Sequence, residues 1–345
     1  MKKTFLAALQ YVFYALLAVF FVWLSVRGMD HEKWEQLKKA MDHAHYWLLI
    51  PVFSLLLIGH WLRGLRWRQL MEPMGYHPSK INTFFAVMIG YFVNLGAPRL
   101  GEVIKCTVLA RYEKVPAQKL VGTIVIERAF DVICLLLVFG LTFVFQFDII
   151  SSLVHDYIYP AFQNKNGQTA YKKIILLVVG LIIFLFLLKI VFSRLGHINI
   201  VQKIKDIMTG VWHGLISVKD LKNKPLFFIY TIGIWTMYLL STWCGFFAID
   251  QTSHLGLADA LTVLAMGSVG MILTPGGIGA YALLVMNTVA LYNIPKEPYG
   301  QALGWLLWFG QFLSFVIFGA LSFILLPRVN RQKIKTDETS PSYSG

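Results

Sequence analysis

Acidic residues are scarce in this sequence and cysteine is nearly absent: 345 residues contain 18 Asp and Glu and three Cys. Charged residues of all kinds make up 14% against 57% hydrophobic ones, which excludes an ordinary soluble fold, because one core of this size cannot hide so much apolar surface. Cys106, Cys134 and Cys244 lack CxxC spacing and lie in or beside apolar segments, so neither a disulfide framework nor a zinc site is expected. His43 and His45 form a lone HxH with no further ligand pattern and read as a solvated loop. No GxxxxGK[ST] sequence occurs, so ATP hydrolysis is not expected, and there is no DxD pair of the kind that holds a metal for sugar transfer. No metal and no cofactor are expected. The net charge of +13 is carried by short loops between apolar runs rather than by one continuous basic face, which points to membrane topology and not to nucleic acid.

What is present is a series of long apolar runs. The first, Phe5 to Val26, is interrupted only by Gln10 and Ser25 and is long enough to cross a bilayer. No Ala-x-Ala cleavage site follows it, so it reads as a retained first helix and not as a signal peptide. Residues 27–44 are polar and helix-prone, with Trp34, Leu37 and Met41 at the spacing of a short helix lying at the interface. Further runs cover Tyr46 to Leu62, capped by Arg63, Arg66 and Arg68, then Leu120 to Phe147, Ile174 to Phe192, Leu226 to Ile249 and Ala302 to Leu326. Trp61, Trp67, Tyr238 and Trp305, near run ends, read as interface anchors.

Two runs are different. Ile81 to Ala97 is short and stops at Gly96-Ala97-Pro98-Arg99, after which Glu102 to Tyr112 forms a second helical piece. Ala258 to Leu273 likewise stops at Thr274-Pro275-Gly276-Gly277-Ile278-Gly279 before apolar sequence resumes to Tyr292. Proline and glycine break a helix at a depth where a spanning helix has not yet emerged. With both segments taken as re-entrant hairpins, the side holding both termini collects more than twice as many Lys and Arg as the other, and that asymmetry places both termini in the cytoplasm. The expected fold is therefore an all-α integral membrane protein in the cell (inner) membrane. It has about six full transmembrane helices and two broken hairpins, the first entering from the cytoplasm and the second from outside, as in an inverted repeat. One membrane domain covers 1–327, and 328–345 form a basic, disordered tail. Opposed hairpins of this kind point to a transporter-type site where their tips meet.

The charges in apolar sequence mark that site. Arg99, Glu102 and Lys105 follow one another at three-residue spacing beside the first break, and Glu127, Arg128 and Asp131 lie within the run that starts at Leu120. A charge in lipid costs on the order of 3 kcal/mol by insertion scales, so these groups must face one another, water or a substrate. Two readings stand for Glu127, Arg128 and Asp131: a closed structural network, or part of a binding site. Arg99, next to Pro98 and a helix start, suits an anion such as phosphate. Asn94, one turn before Pro98, either donates to the same head group or satisfies the broken helix. Thr274, Gly276 and Gly277 belong to a turn expected to allow close backbone approach and to leave N–H groups free at the next half-helix.

These residues also carry a resemblance. The stretch from Asn94 to Glu102, then Glu127-Arg128-Ala129-Phe130-Asp131, then the stretch from Thr274 to Ala280 resemble three signature segments of the lysylphosphatidylglycerol synthase transmembrane, or flippase-like, family. The likeness covers roughly 5–326. It implies a lipid-translocating domain, with Arg99, Glu102, Arg128 and Asp131 matching the family's charged core. Many members carry a Glu shortly after the second turn where this chain has Tyr281-Ala282, and bifunctional members add a large aminoacyl-transferase domain where here 18 residues follow Pro327, so lysyl-lipid synthesis is not expected. The leading expectation is a flippase for the anionic head group of a phospholipid or polyprenyl-phosphate lipid, with the bilayer as its surroundings and a homo-oligomer as a further expected partner state. The alternatives are a membrane enzyme acting on lipid-linked phosphate or sugar, with Glu127 or Asp131 as base or metal ligand, and an accessory membrane protein whose charges are structural.

Overall fold

The computed structural model describes residues 2–27, 29–97, 100–153 and 218–331, and all its regular structure is helical. Eleven α-helices occur among these residues. They are α1 (Lys2–Val26), α2 (His31–Asp42), α3 (Leu49–Gln69), α4 (Lys80–Gly96), α5 (Leu100–Glu113), α6 (Ala117–Phe145), α7 (Phe147–Leu153), α8 (Lys224–Phe246), α9 (Leu257–Leu273), α10 (Ala280–Val289) and α11 (Gln301–Val329). The expected span at 174–192, the tail beyond 331 and Arg99 lie outside the described residues.

Among the described residues, three helical segments are both long and apolar enough to cross a membrane: Tyr46–Met74, Lys224–Phe246 and Lys296–Val329. A fourth candidate is the pair Val12–Val26 and His31–Asp42, whose axes bend by 98°. This bend sets α2 across the end of α1. Asp30 caps α2 by accepting from the Lys33 amide at 2.8 Å; Leu37 is buried and Met41 packs inward, while Trp34 stays exposed. Lys33 then ties the helix to Glu297, in the loop before α11, at 2.8 Å. The helix α6 is longer than needed to span, but Lys119, Glu127, Arg128 and Asp131 interrupt its apolar character.

The frame of the molecule is the antiparallel pair α3 and α8. Leu62 lies against Gly233, Gly59 against Tyr238, and Ser241 Oγ donates to the Val52 carbonyl. Each broken run forms an antiparallel helix pair, α4 with α5 and α9 with α10, and the pairs start from opposite ends of this frame, since α4 follows the end of α3 and α9 follows the end of α8. Beneath the first pair lies a core that includes Trp67, Met71, Val87, Leu109, Leu120 and Phe227; beneath the second lies one that includes Phe246, Val263, Val285, Val289 and Leu303. The helix α8 contributes to both.

Glycine lets the hairpins close. A Cβ on Gly101 would collide with the Gly90 carbonyl oxygen and the Asn94 amide, so α4 and α5 approach at a distance that no larger residue allows. In the second turn Gly276, Gly277 and Gly279 all have positive φ, and a Cβ on Gly276 would meet Leu95 of α4. The two tips therefore touch. They do so beside the middle of α11, where Trp308 Nε1 donates to the Gly276 carbonyl at 2.8 Å and Phe315 packs on Tyr91 with ring centroids 4.9 Å apart.

Two boundaries differ from the sequence reading. The run ending at Leu62 continues as helix to Gln69, so Arg63, Arg66 and Arg68 belong to α3 rather than capping it. Arg328 and Val329, read as the start of the tail, extend α11, which runs past Pro327, and Asn330 is held by reciprocal 2.8 Å amide hydrogen bonds with Asn82 at the start of α4.

The glycine contacts give a paired stability test. Gly101→Ala is expected to destabilise the detergent-solubilised protein by about 1–3 kcal/mol through overpacking. Gly140→Ala, where a Cβ meets nothing within 4 Å, should leave thermal stability unchanged or raise it slightly, by up to about 1 kcal/mol from helix propensity. Thermal unfolding of both variants, followed by fluorescence, checks the difference.

Candidate functional site

Three helices bring charge into the interior. On α3, His60, Arg63 and Arg66 recur every third residue and share one face, with Trp67 beside them. All four are buried, Arg66 with 0% relative exposure. From α5 comes Lys105, and from α6 come Glu127 with 1% exposure and Asp131 at the edge of the same cluster.

Every one of these charges is answered by another helix. Glu127 receives Lys105 Nζ at 2.7 Å on Oε2 and Arg63 Nη1 at 3.1 Å on Oε1, with Arg66 Nη2 4.0 Å away. Asp131 receives Arg63 Nη1 at 2.6 Å on Oδ2 and Arg66 Nη2 at 2.7 Å on Oδ1. The Lys105 ammonium also sits 4.0 Å over the Trp67 ring, whose Nε1 donates to Thr123 Oγ1 at 2.8 Å. Charge-assisted bonds of this length in a low-dielectric interior offset the cost of removing each ion from water. The network nevertheless leaves donors unmet: Arg63 Nε and Arg66 Nε and Nη1 are buried without a hydrogen-bond partner in the structure.

A cavity of about 500 Å³ opens against this network. Four successive turns of α3 face it through Val52, Leu56, His60 and Arg63, so its wall grades from apolar to cationic along one helix. Arg128 and Asp131 of α6 complete the charged end, Tyr91 and Asn94 come from α4, Trp235 and Tyr238 from α8, and Gly276 and Tyr281 from the second hairpin. His60 sits among Tyr91, Phe315 and Tyr238, with ring centroids 5.1, 5.4 and 6.0 Å away, and its Nδ1 is 3.4 Å from the Tyr238 hydroxyl.

The residues singled out from the sequence fall into three groups. Arg128, Asp131, Asn94 and Gly276 line the cavity. Glu127 and Lys105 are buried and do not line it, and Glu102, also outside the lining, has its Oε1 2.9 Å from both Nε and Nη2 of Arg128. Glu102 and Lys105 find their partners on α6, and Arg128 and Asp131 approach each other at 3.7 Å. Asn94 caps the break, its Oδ1 accepting from the Gly101 amide at 2.9 Å.

In the second turn the Gly277, Ile278 and Ala280 N–H groups bond to the carbonyls of Thr274, Pro275 and Ile278. Thr274 Oγ1 donates to the Ile278 carbonyl, and Thr274 and Gly277 are buried. Gly279, at the start of α10, abuts Phe21 and Val22 of α1 rather than the cavity. The positive-φ glycines of this turn allow its close packing, and Gly276 lines the cavity. Tyr281, where the resembling family carries a Glu, packs its ring against Gly267 and lines the cavity.

Sequence reasoning missed Arg63 and Arg66, which looked like the basic flank of a span. The available signal was their spacing from His60, which places all three on one helical face. Trp67 and Tyr238 were likewise misread as interface anchors: the first is fully buried over Lys105 and the second lines the cavity.

Comparison with known proteins agrees with this architecture. Residues 9–302 match the family described as lysylphosphatidylglycerol synthase TM region. Two UPF0104 membrane proteins of Methanocaldococcus jannaschii are similar to the chain. One is 21% identical over 311 residues, covering 86% of this chain and 87% of that protein; the other is 26% identical over 244 residues, covering 69% and 95%. No solved structure matches the chain significantly. This is a multi-pass membrane protein with a buried charged cluster, and it belongs to the lysylphosphatidylglycerol synthase TM region family.

Proposed function

We propose that the protein moves an anionic lipid between leaflets by holding its phosphate at the charged end of the cavity while the acyl chains stay in apolar surroundings. The observation that carries this reading is the cavity itself. It lies where two hairpin tips meet, and its wall changes from Val52 and Leu56 to Arg63, Arg128 and Asp131. An amphipathic ligand with one negative head matches that gradient, since guanidinium groups bond phosphate oxygens in paired geometry.

The topology that goes with this function has six full spans and two re-entrant hairpins entering from opposite faces, with both termini cytoplasmic. Support comes from the start of the two hairpins at opposite ends of the α3 and α8 frame and from the contact of Leu95 with Gly276. Broken helices at depth are tolerated where they line a cavity within protein, which is where both breaks lie. Arg99 keeps its expected role in anion binding from its place beside Pro98 in the sequence.

Arg63 and Glu127 have separable roles in this reading. Arg63→Gln should reduce leaflet exchange of a fluorescently labelled anionic phospholipid in reconstituted vesicles by about ten- to a hundredfold, the equivalent of one charge-assisted hydrogen bond of ~1.5–3 kcal/mol. Exchange by the wild type no faster than by empty vesicles, across phospholipid and polyprenyl-phosphate probes, would sink the reading. Glu127→Gln should act first on stability, by about 3–5 kcal/mol, because it strands Lys105 without a carboxylate partner in a buried site. Thermal unfolding in detergent and the yield of monodisperse protein measure that loss.

A further inference from the structure

The two interior carboxylates have different surroundings, although both accept from Arg63. Glu127 is enclosed by Lys105, Arg63 and Arg66 and does not reach the cavity. Asp131 is on the cavity wall, with a side chain 15% exposed, and it occupies the cationic groups that a ligand phosphate would need: Arg63 at 2.6 Å and, more loosely, Arg128 at 3.7 Å. Arg63 and Arg128 are therefore held by the protein's own anion.

We propose that Asp131 is a built-in counter-anion which the lipid phosphate displaces, and that the displaced carboxylate takes up a proton from water, so that head-group binding carries proton uptake with it. This rests on the lipid-binding reading above and names what couples to it. A phosphate that bonds Arg63 and Arg128 leaves Asp131 beside a second negative charge with fewer cationic partners in a low-dielectric wall. Two anions sharing such a site do not both stay ionised. Arg66 Nη2, on the side of Asp131 away from the cavity, retains a contact to Oδ1, which leaves Oδ2, now held by Arg63, as the oxygen to be protonated.

The charged and titratable groups around Asp131 are Arg63, Arg66 and His60 on α3, Tyr91 on α4, Glu102 and Lys105 on α5, Glu127, Arg128 and Cys134 on α6, and Tyr238 on α8. Glu127 keeps its own ammonium from Lys105, and Glu102 keeps Arg128 Nε, so each retains a cationic partner when a ligand enters the cavity. His60 is buried among Tyr91, Tyr238 and Phe315, with its Nδ1 3.4 Å from the Tyr238 hydroxyl.

Calorimetric titration of the full-length protein in detergent with dioctanoyl phosphatidylglycerol tests the coupling, because this phosphodiester stays ionised at neutral pH and contributes no titration of its own. The measured heat should change with the ionisation enthalpy of the buffer, in the sense of proton uptake on the order of one per lipid bound. Affinity should rise as pH falls, by up to about tenfold per pH unit. Asp131→Asn should bind at least as tightly as wild type with a flat pH profile. Heat independent of buffer in the wild type, or a pH slope that survives in Asp131→Asn and so belongs to His60 or another group, overturns the proposal while lipid binding stands. If Asp131→Asn does not fold, the wild-type buffer series decides alone. Failure of the wild type to bind either this lipid or a polyprenyl phosphate, with phosphatidylcholine as the uncharged control, overturns the lipid reading itself.

Discussion

Pairing of ions out of reach of water is the constraint around which this structure is arranged. Three cations, Arg63, Arg66 and Lys105, converge on two carboxylates, Glu127 and Asp131, from α3, α5 and α6, and none of them can be placed without the others, while Arg128 and Glu102 pair at the more exposed edge. A lone charge at this depth would cost several kcal/mol, so the helices that carry the charges must meet at a fixed register. The glycine contact between α4 and α5 follows from that need, since Lys105 reaches Glu127 only if α5 folds back tightly on α4. The first hairpin is thus shaped as much by its ion pairs as by the proline that breaks it.

The second hairpin obeys a different rule. It brings no ionised group to the cavity, and its three positive-φ glycines let it wedge between α1, α4 and α11. One hairpin supplies charge and the other supplies fit. The cavity between them inherits both characters, which is why its wall passes from charged to apolar within a few helical turns.

Both helix breaks were legible in the sequence because proline and glycine act locally: Gly96 to Pro98 and Thr274 to Gly279 end helices wherever they occur. The charges of α6 were legible too, since Glu127, Arg128 and Asp131 stand in otherwise apolar sequence. Arg63 and Arg66 were not, because an arginine after a run of apolar residues looks the same whether it faces cytoplasm or another helix. Only the carboxylates of α6, more than sixty residues away, decide between these. The same holds for Trp67 and Tyr238, whose position near a run end suggested an anchor until their neighbours on α5 and α3 were seen. Local grammar gave the breaks; long-range pairing determined the site.

The helix α8 lodges Phe227 in the core under the first hairpin and Phe246 in the core under the second, roughly 28 Å apart at the rise of an α-helix. A rod embedded at both ends cannot shift in one socket without loading the other. Laid antiparallel against α3, which carries the arginines, α8 has the geometry of a beam seated at both ends, and it ties the cores under the two hairpins to one rigid element.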